Sequence, residues 1–518
     1  MAIKVGGTEV VDNNRQLKNI ASVDATTVAA LGTAGVGSGG GKFSATADGA
    51  IAIGKPVALQ TNGTVKQVVE TINELGTPTA SSPINIHTNS NNSIGNTHYF
   101  PSENLYVYFT QISSDILGWT FPFNHSANSL GNFAANGITV DGGNCDQDLR
   151  SAFDPATGKF MLTCKNGGNV RVVSGIVNSG GGFTINTATD HAAMRGGDYC
   201  HDVVFSSTDN KFLIGYITTG AAVRVQGYSV NSNGLASTVG GITTVATSLS
   251  FSNVGMAYDS DNNRYLLAGR DNADGDKGKS VYFSHTSSGY TLHATTSWES
   301  TQYLNIQKIR VAYNPEYNRF AIIYEKYQQG DRVQLLTVSG TSISAGGSAA
   351  QFTNGASQTR QIVYDPLTHK MIVFFTTSAG TAFKTIDVSS TVASVGSNIS
   401  VDTNTTQQEC HLAYNTTDDV FAALFWAGNH TRLATLTTAQ ATSNNTSWIG
   451  FAESAISDTA TGDILVLGST AENQSGLTIG STYYVQANGT LATTSINAVK
   501  VGRAIAANKL LITEGNVS

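Results

Sequence analysis

Seven copies of one short pattern recur along the chain at nearly constant spacing. Each copy has a lead aromatic residue, a polar turn, and a second aromatic residue or Met seven positions after the first, as in "AYNPEYNRF". Alternating apolar residues follow the turn, which excludes helical repeats. Self-similarity at this period is typical of propeller blades of four strands each. The lead aromatics lie 50 to 55 residues apart and are Tyr99, Phe153, Phe205, Tyr258, Tyr313, Tyr364 and Tyr414.

The turn of the repeat has a physical explanation. The residue after the lead aromatic is Asp or Asn in five copies, and such a side chain can accept a hydrogen bond from the backbone two residues on. These residues are Asp154, Asp259, Asn314, Asp365 and Asn415. The two aromatics of a copy then fall on paired strands. We predict an all-β fold with a seven-bladed β-propeller. The first copy lacks both the Asp or Asn and the basic residue of the turn, so six blades plus a separate hairpin is the alternative.

Composition limits the partners and the environment that we expect for the protein. Only 13% of the 518 residues are charged and the net charge is -7, which does not suit a polyphosphate, so we expect no nucleic acid partner. The chain opens without a signal-like apolar segment and has no run of 18 apolar residues, so we expect a soluble protein without membrane insertion. The four cysteines form no CxxC pair, which indicates neither a zinc site nor a redox motif.

The two ends of the chain contain an internal duplication. The segment "IAIGKPVALQTNGTV" (51–65) aligns with "LTIGSTYYVQANGTL" (477–491) at a constant shift of 426 residues, and both enter an Asn-Gly hairpin. We predict one small β domain formed by residues 42–74 and 447–518, with the propeller, residues 75–446, inserted into it. Insertion requires neighbouring entry and exit points, which a closed propeller provides. The alternative is two independent hairpin modules of similar sequence.

Ahead of the small domain lies a segment that has no core of its own. Residues 1–36 form a predicted extended arm with a sparse apolar stripe, and residues 37–41 form a glycine-rich joint. An apolar stripe that cannot bury itself requires a partner. We therefore expect residues 1–36 to dock on another protein or to oligomerise.

The segment "VVDNNRQLKNIASVDATT" resembles the N-terminal segments of tail-fibre and related virion structural proteins of tailed bacteriophages. The duplicated pair, including "GLTIGSTYYVQANGTLATT" and "AVKVGRAIAANKLLI", is likewise similar to a β module of such proteins, whereas the propeller is unmatched. The resemblance implies a homotrimeric appendage whose arm binds tail or capsid proteins. It also implies synthesis in the host bacterial cytoplasm and location in the virion. Because the chain has no long shaft, a short spike fits better than a long fibre.

One column of the repeat is a candidate ligand-binding ring. The residues three positions before the lead aromatics are polar in six of seven copies, whereas the next column is mostly apolar. Such a ring at the mouth of the axial channel can bind a sugar or an anion, with arginines as donors to carboxylate or phosphate. The alternative is that these groups bond each other and ordered water. The predicted ligand-binding residues are Arg150, Asp202, Arg310, Gln361 and His411.

Signals for catalysis and for metal binding are weak. No nucleophile elbow, HExxH motif or phosphate loop occurs, and the Ser-x-Asp-x-Gly-x-Thr-Trp turns of sialidases are missing. Asp148, Asp202 and Glu409 are candidate carboxylates only because they lie near first strands. The segment "DSDNN" from Asp259 copies the start of a calcium loop but lacks its Gly and distal Glu. We expect no catalytic residue, no cofactor and no metal site.

The sequence therefore favours a virion appendage with an outward-facing propeller that binds host surface glycans. Two alternatives stay open. One is a head fibre or decoration protein without receptor binding, and the other is a glycan-degrading propeller enzyme. Composition alone does not separate a loop that binds from a loop that is only solvated.

Overall fold

The computed structural model of the chain describes residues 3–5, 8–11 and 41–513, except 89–92, 144, 146, 187, 196–199, 247–249, 301–308, 327–328, 356, 358, 404–407 and 496–497. Across these residues the regular structure is β-strand with three short 3₁₀ turns, Pro101–Glu103, Asn272–Asp274 and Asn445–Ser447. None of the helices described is long and apolar enough to span a membrane. Contacts divide the chain into two compact units, Met1–Asn73 with Ala441–Ser518 and Glu74–Gln440.

Seven strands precede the first blade. The arm contributes a hairpin in which Ile3 pairs with Val11. The rest of the predicted arm, 1–36, and nearly all of the joint, 37–41, lie outside the described residues. The strands are β1 Ile3–Val5, β2 Thr8–Val11, β3 Lys42–Thr46, β4 Pro56–Leu59, β5 Val65–Gln67, β6 Glu70–Ala80 and β7 Ile84–Thr88.

Seven antiparallel sheets, one for each copy of the repeat, form the larger unit. Blade 1 contains β8 Ser93–Phe100, β9 Leu105–Ile112, β10 Asp115–Phe121, β11 Phe123–Asn124, β12 Ser129–Leu130 and β13 Ala135–Asp141. Blade 2 contains β14 Gln147–Phe153, β15 Lys159–Asn166, β16 Asn169–Val177, β17 Phe183–Ile185 and β18 Thr189–Ala193. Blade 3 contains β19 His201–Ser206, β20 Lys211–Ile217, β21 Val223–Val230 and β22 Ala236–Ala246. Blade 4 contains β23 Phe251–Asp259, β24 Arg264–Asp271, β25 Lys277–Thr286 and β26 Gly289–Glu299.

The remaining strands complete the ring and the smaller unit. Blade 5 contains β27 Arg310–Asn314, β28 Arg319–Lys326, β29 Gly330–Ser339, β30 Ser342–Ala345 and β31 Ala350–Gln351. Blade 6 contains β32 Thr359–Tyr364, β33 Met371–Thr377, β34 Gly380–Asp387, β35 Ser394–Val395 and β36 Ile399–Asp402. Blade 7 begins with β37 Gln408–Asn415, β38 Val420–Ala427 and β39 His430–Ser443. The last strands are β40 Trp448–Ala452, β41 Thr461–Leu465, β42 Thr470–Ala471, β43 Thr482–Val485, β44 Leu491–Ala492, β45 Val499–Ala506 and β46 Lys509–Ile512.

The ring is closed by seven blades. The first strand of each blade contacts that of the next, and β37 of blade 7 contacts β8 of blade 1. The first copy of the repeat is a full blade of order β13-β10-β9-β8, which rules out the six-blade alternative. Buried aromatic rings pack between neighbouring sheets, as Phe109 does with Phe160 at 4.9 Å between ring centroids. The two aromatics of one repeat contact each other on paired strands, as predicted, for example Tyr313 and Phe320 at 4.8 Å.

Blade 7 takes its outer strand from the opposite end of the propeller. Its order is β37-β38-β39-β6, and β7 also pairs with β39. Ser81 donates its backbone N–H to the carbonyl of Thr435 at 2.9 Å. The sequence pattern alone does not reveal this closure, because β6 lies some 350 residues from its partner. Pairing the two ends of the propeller in one sheet covers the edge that β39 would otherwise expose.

The Asp and Asn residues of the turns act as the sequence predicts. Asp365 is fully buried; its Oδ1 accepts from the backbone N–H of Leu367 at 3.0 Å and its Oδ2 from the Thr368 hydroxyl at 2.6 Å. Three of the others also accept from the backbone N–H two residues on: Asp154 from Ala156, Asp259 from Asp261, and Asn415 from Thr417. Asn314 differs, since it accepts from the N–H of Tyr317, three residues on.

A further turn position repeats in all seven blades. The fifth residue after each lead aromatic has a positive φ between 49° and 74°. Where the lead aromatic is Tyr, its hydroxyl lies 2.8 to 3.1 Å from that side chain. Asn and Asp tolerate this left-handed conformation and also supply a partner for the hydroxyl. The seven residues are Asn104, Gly158, Asn210, Asn263, Asn318, His369 and Asp419.

The smaller unit contains two sheets of equivalent topology. Module 1 has the order β3-β41-β40-β4-β5, and module 2 has the order β42-β46-β45-β43-β44. Strands β4 and β5 of module 1 match β43 and β44 of module 2 at the shift of 426 residues. The hairpin bond from Gln60 N–H to the Thr64 carbonyl is 2.8 Å, and its counterpart from Gln486 to Thr490 is 2.9 Å. The duplication therefore covers whole five-stranded modules, beyond the hairpins from which it was predicted.

The same correspondence includes an irregularity of the sheet. Val57 pairs with Gly450 and Tyr483 pairs with Gly502, and the register shifts directly after each pair. A Cβ on either glycine would lie 2.2 or 2.1 Å from a carbonyl oxygen of the adjacent strand, so both positions require glycine. Between its third and fourth strands module 1 holds the propeller, whereas in module 2 the third strand ends at Ala492 and the fourth begins at Val499. The propeller therefore occupies one loop of a duplicated module.

The two modules share a core but differ in what their outer faces expose. Trp448 and Phe451 of module 1 are buried in a cluster with Val485 of module 2. The equivalent positions of module 2 are Lys500 and Arg503, and both are exposed. Module 2 therefore presents charged side chains at the positions where module 1 buries aromatic ones.

Half-buried His98 makes the stability of the propeller depend on pH. Its Nε2 lies 2.7 Å from the Ser151 hydroxyl of the next blade, and burial lowers the pKa of His98 to about 3. The unfolded chain takes up this proton near pH 6.5, so the contribution of His98 is fully present above pH 6.5 and is lost as the pH falls toward 3. The loss is about 1.4 kcal/mol per pH unit. Between pH 6.5 and 4.5 we expect the melting temperature of His98→Gln to fall less steeply than that of the parent protein. Equal slopes for the two proteins would contradict this.

Candidate functional site

The predicted ligand-binding residues all lie on the first strands of their blades. Arg150 and His411 are buried, and Asp202, Arg310 and Gln361 are half-buried. Because the first strands contact one another around the ring, these residues follow its inner edge. Some of these side chains already form hydrogen bonds or ion pairs within the protein.

Asp202 uses both carboxylate oxygens to bind backbone. Its Oδ1 accepts from the N–H of Val203 at 2.9 Å and its Oδ2 from the N–H of Met256 in the next blade at 2.8 Å. Asn96, in the same column of the repeat, donates to the carbonyl of Ser151 in the next blade at 3.2 Å. Each of these two side chains bonds the residue that lies two positions before the lead aromatic of the next blade. At these two positions the column ties neighbouring blades together.

Arg150 belongs to a buried cluster between blades 2 and 3. Its Nη2 lies 2.6 Å from Asp148 Oδ1, and Asp148 Oδ2 lies 3.7 Å from Nδ1 of His201. Asp148 has a φ of 61°, which is strained for a residue within a strand. Burial lowers the pKa of His201. The guanidinium of Arg150 is therefore already paired with a carboxylate.

The other column residues differ in their surroundings. Arg310 donates from Nη1 to the carbonyl of Ile309 at 3.0 Å. Gly255 has no room for a side chain, because a Cβ would lie 2.8 Å from the same carbonyl oxygen. Gln361 lies on β32 and His411 on β37. Of the column residues whose bonds are described, Asn96 and Asp202 bond the next blade, whereas Arg150 and Arg310 bond residues of their own blade.

The acidic turns of blade 4 are neutralised by neighbouring side chains. Asp259 is buried and accepts from the Tyr282 hydroxyl at 2.5 Å. Between β24 and β25 of the same blade, Lys279 Nζ lies 2.8 Å from Asp271 and 3.0 Å from Asp274. Among the residues that the structure describes, no group of three or more His, Cys, Asp or Glu side chains is arranged to hold a metal ion.

A polar pocket, which we call the hairpin pocket, lies between blades 7 and 1. Blade 1 alone, among the described blades, carries an extra hairpin, β11 and β12, between its third strand and its outer strand. This hairpin and the first turns of blades 1 and 7 enclose a cavity of about 410 Å³. Its lining combines amides, hydroxyls and one carboxylate with an apolar surface, and includes Asn104, Pro122, Phe123, Asn124, His125, Ser126, Ser129, Leu130 and Asp418.

His125 is the polar centre of the hairpin pocket. Its Nε2 lies 2.9 Å from the Tyr106 hydroxyl and 3.0 Å from the amide Nδ2 of Asn415, which donates. Nε2 is therefore the acceptor, and the proton resides on Nδ1. Nδ1 is buried without a hydrogen-bond partner among the described residues. Burial lowers the pKa of His125, although Asp418 opposes the shift, so the ring is neutral near pH 7.

Two amides complete the polar lining of the pocket. The carbonyl oxygen of Asn124 accepts from Ser126 and from the backbone N–H of Ala127, and that of Asn104 accepts from Tyr99. Their Nδ2 groups donate to no residue in the described part of the chain. Sequence analysis missed this pocket because it depends on the contact between the first and last blades. The available signal was the extra turn-rich segment "FPFNHSANSLG" within the first repeat.

The strand pairing defines the class of protein, a seven-bladed β-propeller inserted into a duplicated β module. No family model and no curated protein matches the chain. A Lactobacillus plantarum protein is 12% identical over 62% of this chain and 88% of its own, with a TM-score of 0.45. The β-propeller domain of Cps50 (Swd1) from Myceliophteria thermophila is 6% identical over 68% and 99%, with a TM-score of 0.45. Sqt1 of Saccharomyces cerevisiae is 9% identical over 70% and 100%, with a TM-score of 0.41. These similarities carry no argument about function.

The contacts of Asp202 generate a prediction about stability. We expect Asp202→Ala to lower the free energy of unfolding of the propeller by about 1–3 kcal/mol, because two backbone N–H groups lose their acceptor. Asp202→Asn keeps one acceptor oxygen and should cost less. Urea unfolding of the three proteins measures this difference. If Asp202→Ala unfolded at the urea concentration of the parent, the proposed tie between blades 3 and 4 would be wrong.

Proposed function

We propose that this protein is a trimeric appendage of a bacteriophage particle and that its propeller binds glycans on the host surface. The observation that carries the binding part is the hairpin pocket. The virion part rests on the resemblance of the arm and of the duplicated module to tail-fibre and related proteins. In this proposal residues 1–36 dock on tail or capsid proteins, and the protein is located in the virion.

The lining of the hairpin pocket suits a sugar. Sugar hydroxyls donate and accept hydrogen bonds, and the pocket offers the amide donors of Asn104 and Asn124 together with the carboxylate of Asp418. Phe123 and Leu130 supply an apolar surface for the C–H faces of a ring. A cavity of about 410 Å³ accommodates one or two sugar units. Weak binding at each site suffices, because several linked sites raise the effective affinity.

The same lining favours binding over hydrolysis. A retaining or inverting glycosidase uses two carboxyl groups on either side of the scissile bond. Among the described residues that line the hairpin pocket, Asp418 is the one with a carboxylate. A sugar held there would meet one carboxylate and a neutral His125, which can orient it by hydrogen bonds.

A matched pair of variants tests the glycan-binding part. Asp418 and Asp209 occupy the same turn position, four residues after the lead aromatic, in blades 7 and 3. We expect Asp418→Asn to weaken binding of purified host surface polysaccharide about tenfold, the effect of about 1.4 kcal/mol, since a charge-assisted hydrogen bond is lost. Asp209→Asn should leave binding unchanged. Surface plasmon resonance measures both affinities. Equal affinities of the two variants would overturn the assignment of this pocket.

Deletion of residues 1–36 tests the appendage part separately. We expect the shortened chain to keep a folded propeller and its glycan binding but to be missing from purified particles, because the docking segment is removed. Immunoblotting of particles, with the full-length chain as control, measures incorporation. Unchanged incorporation would contradict docking through the arm. If incorporation depends on the arm but the protein binds no glycan, a decoration protein without a receptor would be favoured.

A further inference from the structure

A second pocket lies between blades 5 and 6, beside the turn between β33 and β34. It has a volume of about 380 Å³, and we call it the Lys384 pocket. Hydroxyl and amide groups make up most of its polar lining, while Phe352 and Phe375 contribute an apolar wall. The polar residues that line it are Thr353, Asn354, Thr377, Ser378, Thr381, Lys384, Asn398 and Ser400.

Lys384 is the charged group of this pocket. Its side chain is half-buried, and Nζ donates to the carbonyl of Phe352 in the neighbouring blade at 2.6 Å. An ammonium group has three donors, so two remain for another partner. None of the described residues that line the pocket carries a carboxylate. Burial lowers the pKa of Lys384.

Two acidic residues that neighbour the pocket lining are paired with arginines. Asp402 borders Thr381 in the sheet, and its carboxylate lies 2.5 Å from Nη1 of Arg432. Asp331 accepts from the Thr353 hydroxyl behind the pocket wall and forms a fully buried ion pair with Arg360. Both acids are therefore committed to other cations. Lys384 is left as the positive charge in a cavity of neutral polar groups.

We propose that the Lys384 pocket binds the carboxylate of an acidic sugar. A desolvated ammonium without a counter-ion is unfavourable, and an anionic ligand would supply the missing charge. The side chains of Asn354, Asn398 and Ser400 are exposed and have no described hydrogen-bond partner, so they can bind the hydroxyls of the same sugar. The inference rests on the proposed glycan-binding function and specifies its ligand class, namely polysaccharides that contain uronic or sialic acids.

Calorimetric titration of the full chain with glucuronate, glucose and inorganic phosphate tests this proposal. We expect glucuronate to bind and Lys384→Met to weaken that binding at least about tenfold, whereas Lys384→Arg keeps most of it. Lys370→Met is the matched control, since Lys370 lies in the same blade and pairs with Glu74. Its binding of glucuronate should equal that of the parent.

The other outcomes would overturn the proposal. If glucuronate does not bind, or if it binds Lys384→Met as tightly as the parent, Lys384 has no role in binding. Phosphate that binds as tightly as glucuronate and competes with it would identify a site for free anions instead of sugars. Asp418→Asn separates this result from the earlier proposal, because it should leave glucuronate binding intact. Failure of the hairpin pocket and failure of the Lys384 pocket are therefore distinguishable.

Discussion

The pairing of β6 with β39 is the constraint on which the rest of the propeller depends. Blade 7 is complete only when residues from the start of the propeller supply its outer strand, and this pairing holds blade 7 next to blade 1. The hairpin pocket exists only because of that closure, since its walls come from blade 1 and from the turn of blade 7. The same closure brings the two ends of the propeller together, which allows it to occupy a loop of module 1.

Polar groups hold neighbouring blades together at two levels. Along the inner edge, Asp202 and Asn96 bond the backbone of the next blade. At the turns, lead tyrosine hydroxyls reach the preceding blade, as Tyr99 does to Thr417 at 2.6 Å and Tyr258 to Thr208 at 2.7 Å. Buried polar groups of this kind are costly unless they are paired, so they specify which blade faces which. Lys384 differs because none of the described residues that line its pocket is a carboxylate, and this makes the pocket a candidate for a ligand.

The two modules show how one sequence pattern serves different surroundings. Their hairpins and glycine positions correspond, yet Leu59 of module 1 is 46% exposed and the equivalent Val485 of module 2 is fully buried. Module 1 covers Val485, whereas no described residue covers Leu59 to the same extent. Trp448 and Phe451 are buried between the modules, whereas the equivalent Lys500 and Arg503 are exposed. The shared pattern sets the strand order, and the residues on each face set what that face contacts.

The sequence by itself determined the repeat, the turn chemistry and the duplication, because these depend on residues close together in the chain. The aromatic spacing and residues such as Asp365 were sufficient to predict the seven blades and their turns. Only the tertiary structure decided which strand completes blade 7, what binds Asp202 and Arg150, and where Asp418 and Lys384 meet their neighbours. Those features join residues of different blades, and a periodic pattern places a side chain on a strand without specifying what faces it across the ring.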